Sequence, residues 1–444
     1  MHHQKRWLIG IFFVLLSVTT NSTQIEFRSR EIQPQTSDYN FKVGNLALDL
    51  RYAVGIIYDD NTNRSNKRSS RQEGTKIGNA LTLNVDWPIN RHLHIQTGLR
   101  VGYVFFAEGE GTDGVIVSGT QGDVAGKIAF DAKVGKNGLF TFEEKLARSV
   151  DTVEIDRVDN SEDFSLWHNT LSLQYQNQLS RFMNLAAKAA WRKTWSSDSD
   201  FEFRDNSAYI IDSIILSQIN SQIQAGPFVR FVRYEYDERA RPRVTPTGTN
   251  NSAIGFRHPD TDNFEAGVNV RYQISATTLA SLSVAYQELF VDEDSSDTPP
   301  GVPIINDEDD GISIAFSLHD KLSDFVNHRL LASYRRNPGT SPTINYSEDI
   351  DATYNVSWHF VRDWELIGQF TWLKTNESSR AGEIADVFIN LAGLRYHISP
   401  RSNVSLDYRR TEKFSNRRQD QNDPNSPGRD YERNEIRFLF SYDF

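Results

Sequence analysis

Residues 46–58 read LALDLRYAVGIIY, and this stretch decides the fold class of the chain. Every second position from Leu46 to Tyr58 is apolar or aromatic, whereas the positions between them include Asp49 and Arg51. Strict alternation over this length is typical of a β-strand whose two faces meet different surroundings. One face is therefore expected to contact an apolar medium and the other a polar one.

The same alternation recurs along the rest of the chain. It predicts eighteen strands, with boundaries accurate to a few residues, at 46–58, 77–87, 92–106, 124–134, 139–148, 167–179, 183–195, 207–217, 223–236, 262–274, 278–290, 311–318, 326–335, 347–360, 364–374, 384–398, 403–410 and 431–444.

The pattern is weaker in three of these strands, at 139–148, 207–217 and 223–236. In the first, Glu144 falls on an otherwise aromatic face. In the third, both faces carry apolar residues, which a β-bulge near Gly226 and Pro227 would explain. The count is therefore about eighteen, with sixteen as the lower bound.

The connections between the strands alternate in length. Short ones fall near 88–91, 135–138, 180–182, 218–222, 275–277, 319–325, 361–363 and 399–402, and the long ones between them reach lengths such as those of 59–76 and 237–261. A soluble β-sandwich has no reason to keep every long connection on one side. Bacterial outer-membrane barrels have this arrangement. The sequence therefore predicts an all-β fold, a transmembrane antiparallel up-and-down β-barrel with short periplasmic turns and long extracellular loops.

Composition agrees with this fold and excludes several others. Of 444 residues, 38% are hydrophobic and 12% aromatic, and the mean hydropathy is −0.54, too low for a bundle of transmembrane helices. The chain has no Cys, which excludes disulfides and thiolate metal sites. A net charge of −11 argues against binding to nucleic acid.

The N-terminus has the features of a secretory signal. Lys5 and Arg6 precede an apolar run at 7–16, and small polar residues follow it. We predict a cleaved signal peptide at 1–22, a periplasmic lead at 23–43 that either stays outside or enters the lumen as a plug, and an outer-membrane barrel at 44–444. The predicted location is the bacterial outer membrane.

The C-terminal strand has apolar residues at alternate positions and an aromatic last residue; they are Ile436, Phe438, Phe440, Tyr442 and Phe444. This resembles the insertion signal of Gram-negative outer-membrane proteins, which implies the barrel-assembly machinery, membrane lipid and lipopolysaccharide as partners. In length, Tyr- and Arg-rich alternation and terminal Phe, the chain is most similar to the large porins grouped as β-barrel porin 2. Some of that group are associated with exopolysaccharide production.

Aromatic residues cluster toward the predicted strand ends, as expected for the two interfacial girdles of a membrane barrel. Those beside short turns are Trp87, Phe182, Phe360, Trp364 and Tyr396, and those beside long connections are Tyr58, Phe105, Trp195, Tyr236, Phe290 and Trp372.

The strand faces opposite the apolar ones are expected to line a lumen. They carry twelve basic and eight acidic residues: Asp49, Arg51, Arg100, Lys127, Asp131, Lys133, Lys188, Arg192, Glu265, Arg271, Arg329, Arg335, Asp349, Asp351, Glu365, Arg395, Asp407, Arg409, Glu435 and Arg437. Eighteen strands leave room for a water-filled channel. A mixed, slightly basic wall predicts weak selectivity, with a slight preference for anions. The alternative is that these charges only brace the wall of a plugged barrel.

No motif for catalysis or cofactor binding is present. The sequence contains no G-x-S-x-G or H-E-x-x-H, and of its ten His two fall in the predicted signal peptide and the others are scattered or near short turns. The acidic segment 291–310 has oxygen ligands suited to Ca²⁺, but its spacing matches no EF-hand loop and a solvated charge run is the favoured interpretation. We therefore predict no enzymatic activity, no cofactor and no metal.

The predicted function is that of a porin-like channel for passive diffusion of small polar solutes or sugars, with homo-oligomers as an open option. Two alternatives remain: an accessory of exopolysaccharide export, and a plugged structural or adhesive barrel.

Overall fold

The computed structural model describes residues 39–61, 71, 73–108, 114–116, 126–149, 166–196, 205–237, 260–292, 308–338, 346–378, 383–416 and 430–444. The predicted signal peptide, residues 23–38 of the predicted lead, and most of the long connections lie outside these ranges. No helix among the described residues is long and apolar enough to cross a membrane.

The described residues form strands joined by turns. The strands are β1 (Phe41–Val43), β2 (Leu46–Asp59), β3 (Gly74–Asn90), β4 (Leu93–Glu108), β5 (Gly114–Ile116), β6 (Gly126–Val134), β7 (Gly138–Ser149), β8 (Leu166–Ser180), β9 (Met183–Ser196), β10 (Asn206–Gln218), β11 (Ile223–Tyr236), β12 (Thr261–Gln273), β13 (Thr278–Val291), β14 (Glu308–Lys321), β15 (Val326–Pro338), β16 (Tyr346–Val361), β17 (Trp364–Glu377), β18 (Ile384–Ser399), β19 (Ser402–Ser415) and β20 (Tyr431–Asp443).

Eighteen long strands of the described chain pair antiparallel with their sequence neighbours, and the ring closes where β2 pairs with β20. β1 and β5 are short additions that pair with β2 and β4. The predicted all-β, eighteen-stranded antiparallel barrel is therefore confirmed, and each predicted strand matches a strand of the structure within a few residues. Because the sheet has no free edge among these strands, backbone hydrogen bonding can be satisfied without water.

The barrel has two distinct ends. At one, which we call the short-turn end, consecutive strands are joined by tight connections such as 91–92, 181–182 and 362–363. At the other, the long-connection end, the strands lead into the predicted long loops. Both described chain ends, near 39 and 444, lie at the short-turn end.

The predicted bulge near Gly226 and Pro227 is wrong. The register between β10 and β11 is the same on both sides of these residues, from Ile214↔Phe228 to Ser217↔Ala225. Only the two pairs at Gly226 and Pro227 are missing, because proline has no N–H to donate. A Cβ on Gly226 would lie 1.7 Å from the carbonyl oxygen of Ile215, so only glycine allows this approach.

A side chain replaces part of the ladder between β14 and β15. Their pairing ends at Ile314↔Tyr334, and beyond it Gln287 of β13 reaches past Gly311 to β15. Its Nε2 donates to the Arg336 carbonyl oxygen (2.6 Å), and its Oε1 accepts from the Arg336 N–H (3.0 Å). One amide therefore satisfies both backbone groups of Arg336.

Replacing Gln287 with Leu should lower the free energy of unfolding by about 1–3 kcal/mol, since the half-buried N–H and carbonyl of Arg336 lose this partner. Gln287→Asn, one methylene shorter, should show a similar loss. Urea unfolding of the folded protein in detergent measures both. Wild-type stability in both variants would mean that other groups satisfy Arg336.

Candidate functional site

The outer face of the barrel is apolar. Val268, Val284 and Ile314 are neighbours in register on β12, β13 and β14, and their side chains are 41–50% exposed. One residue along, Asn269 and Ser283 lie on the opposite face and are buried. This inverts the pattern of a soluble protein, in which the apolar face is buried.

The polar face is the concave one. A recess of about 90 Å³ touches strands β10 to β15 at once, which only the inside of the ring allows. Its charged lining includes Asp212, Arg230, Glu265, Arg271 and Arg335. The polar side chains therefore point into the barrel.

All twenty charged residues that the sequence analysis assigned to the lumen lie on this inner face, and all are buried or half-buried. That they line an open, water-filled pore stays a prediction. The structure adds charges of both signs on the same face that the sequence analysis did not name, among them Asp59, Asp86, Glu143, Asp212, Arg230, Lys413 and Arg433.

One row of inner charges alternates in sign across four neighbouring strands. Lys188 faces Asp212, Asp212 faces Arg230, and Arg230 faces Glu265. The Nε of Arg230 lies 3.4 Å from Oδ1 of Asp212. Because each charge has an opposite neighbour, the field of this row falls off quickly toward the lumen axis.

Ion pairs also join β19 and β20. The Arg409 Nη1 lies 3.2 Å from Glu435 Oε2, and the Arg437 Nη2 lies 3.0 Å from the same atom. At the short-turn end of β17, Glu365 accepts from Arg395 Nη1 (3.0 Å) and Ser357 Oγ (2.6 Å). The Arg409–Glu435 and Arg395–Glu365 contacts tie neighbouring strands of the wall together, and whether the inner charges serve an open or a plugged barrel stays a prediction.

Two sectors of the described inner wall are apolar, and sequence reasoning missed both: a small one of Leu373, Val387 and Ile389, and a larger one across β9, β10 and β11. The buried side chains that form the larger sector, with those packed against them, are Ala186, Ala190, Ala208, Ile210, Ile214, Leu216, Phe228, Val232 and Tyr234. The Arg192 guanidinium lies 5.8 Å from the Tyr234 ring centroid. Strand β10 has apolar residues on both faces, so alternation could not show which face was inner. The predicted girdle residue Tyr236 is likewise wrong, because its side chain is buried on the inner face.

Residues at the start of the described chain contact the inner wall at the short-turn end. The Tyr39 hydroxyl donates to Asp86 Oδ2 (2.9 Å), and the Asn40 amide donates to Asp49 Oδ1 (3.2 Å). His94 also bonds Asp86. Residues 39–40 thus lie at the mouth of the lumen, as the plug alternative requires for this part of the lead.

No protein-family model matches the chain, and no curated protein matches it significantly. The resemblance to the β-barrel porin 2 group is therefore not confirmed.

Several solved structures resemble the barrel. OpdL of Pseudomonas aeruginosa is 9% identical over 90% of this chain and 99% of its own, with a TM-score of 0.45. OpdQ of the same species is 8% identical over 90% of this chain and 99% of its own, with a TM-score of 0.46. A BenF-like porin from Pseudomonas fluorescens Pf-5 is 8% identical over 89% of this chain and 99% of its own, with a TM-score of 0.45. At these identities and TM-scores the similarities carry no argument about function, and the fold rests on the strand pairing.

Proposed function

We propose that this protein is a porin-like channel of the bacterial outer membrane. The observation that carries the proposal is the closed eighteen-stranded ring with an apolar, aromatic outer face and a charged inner face. An apolar outer face is stable in lipid, and charged side chains cost several kcal/mol there but little toward a wet lumen. A ring of this size leaves an aqueous channel.

The C-terminal strand supports insertion into the outer membrane. Ile436, Phe438, Tyr442 and Phe444 are exposed on the outer face, and Phe440 lies on the same face. Lipid and lipopolysaccharide are the partners that this surface would contact in the membrane. During assembly, the barrel-assembly machinery would pair with this strand before β2 closes the ring.

The proposed mechanism is diffusion of small polar solutes or sugars, screened by size and wall charge. The lateral ion pairs favour weak selectivity, since neighbouring charges compensate one another. The larger apolar sector with Arg192, Lys188 and Arg230 beside it adds a surface on which the less polar part of a solute can lie. A homo-oligomer, the lack of enzymatic activity and the cleaved signal stay predictions.

Refolded protein in a planar bilayer should give discrete ohmic conductance steps, with a small anion preference in a KCl gradient. Arg271→Glu, in the inner recess, should shift the reversal potential toward cations. The same substitution at Arg362, in an exposed short turn, is the matched control and should shift it less.

If protein that is demonstrably folded and inserted gives no conductance steps, the open channel is refuted. A plugged structural barrel, or an accessory of polysaccharide export that needs a partner to open, would then be favoured. Equal shifts from Arg271→Glu and Arg362→Glu would show that the inner recess does not set the selectivity.

A further inference from the structure

Three potential metal ligands converge at the short-turn end of the inner wall. Glu365 on β17 faces His359 on β16, and His397 lies on β18 two residues beyond Arg395, the register partner of Glu365. The Nε2 atoms of His359 and His397 lie 3.9 and 3.8 Å from Glu365 Oε2. All three ligand atoms are within 4.8 Å of one another.

The burial of the three side chains suits a site that opens to solvent. Glu365 is 4% exposed, whereas His359 and His397 are 29% and 22% exposed. The His397 Nε2 atom itself is buried and makes no hydrogen bond within the described residues. The two imidazole rings are nearly parallel, with centroids 6.5 Å apart. A buried ring nitrogen without a hydrogen bond is costly, and a cation bound to that nitrogen would satisfy it.

We propose that His359, Glu365 and His397 bind a transition-metal ion, with Zn²⁺ as the best match. Two imidazoles and one carboxylate, with water in the fourth position, are a common Zn²⁺ ligand set. Bond lengths of about 2.0–2.2 Å place tetrahedral ligand atoms about 3.3–3.5 Å apart. The histidine nitrogens therefore need to move toward Glu365 by a fraction of an ångström, and rotation of the partly exposed rings allows this.

Two other described histidines, His94 on the inner face and His328 on the outer face, lack this convergence. His94 has its two ring nitrogens directed to different carboxylates, Asp86 and Asp131. His328 contacts a single carboxylate, Asp320, at 3.1 Å. Among the described residues, only the His359–Glu365–His397 group brings three ligand atoms to one point.

The positive charge of Arg395 is unfavourable for metal binding at this site. Its Nη1 lies 3.0 Å from the same Glu365 oxygen that both histidines face. A guanidinium this close repels a dication and lowers the affinity of the site. Arg395→Gln keeps a hydrogen-bond donor and removes the charge, so it should strengthen binding by roughly 10-fold or more.

The test uses tag-free protein in detergent, without the predicted signal peptide, which carries His2 and His3. Calorimetric titration with ZnCl₂ should give one ion per chain. His359→Ala and His397→Ala should each weaken binding by at least about 100-fold, since loss of even outer-shell groups costs 10–100-fold. His328→Ala is the matched control and should bind like the wild type.

X-ray absorption of the zinc-loaded wild type should show two imidazole ligands, a readout that does not depend on any variant folding. No binding by the wild type, or equal binding by His359→Ala, His397→Ala and His328→Ala, would overturn the proposal. Binding does not depend on the channel function. If the barrel also conducts, the bound ion adds positive charge at the short-turn mouth.

Discussion

Asp59→Asn should lower the free energy of unfolding by about 3–5 kcal/mol, because it leaves a buried arginine without its main counter-charge. The Nε and Nη2 atoms of Arg433 lie 2.9 and 2.6 Å from Asp59 Oδ2, and the two side chains are 5% and 0% exposed. The pair joins β2 to β20, so it holds the seam that closes the ring. Asn keeps the oxygen that accepts from the Asn61 N–H, but its Nδ2 takes the place of Oδ2, so the charge and both hydrogen bonds from Arg433 are lost.

Arg433→Met should cost a similar amount, because Lys76, at 3.8 Å, would be the one counter-charge left to Asp59 among the described residues. The double variant Asp59→Asn/Arg433→Met should be more stable than the sum of the two losses predicts. Urea unfolding in lipid or detergent measures all three.

The control lies at the other end of the same seam. Arg51 and Asp443 also form an ion pair there, but their side chains are 37% and 27% exposed. Arg51→Met should therefore cost under about 1 kcal/mol. Equal losses from Arg51→Met and Asp59→Asn would show that burial does not decide the strength of these pairs.

Val284→Arg should destabilise the protein in lipid by about 2–4 kcal/mol, since it places a charge near the bilayer midplane. Val284 is midway along β13, on the outer face, between Val268 and Ile314. Folding into lipid vesicles at several urea concentrations gives the free energy.

Val284→Leu keeps the surface apolar and is expected to match the wild type within about 1 kcal/mol. Val284→Arg of the same stability as Val284→Leu would mean that this face does not contact lipid. The proposed membrane location would then be refuted, whereas the eighteen-stranded barrel fold would not be affected.

The strands were predictable because their signal is local. In a strand between an apolar and a polar medium, apolar and polar residues must alternate with a period of two. This alternation is visible within each run of about ten residues. Even the weak strand around Glu144 is present, as β7, and Glu144 accepts from the Asn169 amide (3.2 Å) on the neighbouring strand. Weak alternation there reflects a local polar pair, not a missing strand.

The larger inner apolar sector was not predictable for the opposite reason. Ile210 and Ile211 lie on opposite faces of β10, and their own apolar character carries no sign of which is inner. The contacts of Ile210 with Ala208 and Val232 decide it. The girdle prediction for Tyr236 is wrong for the same reason. A position near a strand end does not show whether the side chain points inward or outward.

The candidate zinc ligands share one feature that is visible in the sequence. His359 and His397 each lie three residues before a short turn begins, on strands separated by one neighbour. Hairpin pairing then brings both near Glu365. The distances of 3.8 and 3.9 Å, which make the group a plausible ligand set, come only from the register.

The sequence by itself determined the strands, their neighbours and, in most of them, the face that turns outward. The strands and their faces follow from local alternation, and the pairs of neighbours within each tight hairpin follow from connections too short to allow any other pairing. Only the tertiary structure decided how the ring closes, which charges compensate one another and where the inner wall is apolar. The physical reason is range: Asp59 and Arg433 are 374 residues apart, and no local pattern can encode a contact that exists only when the sheet closes on itself.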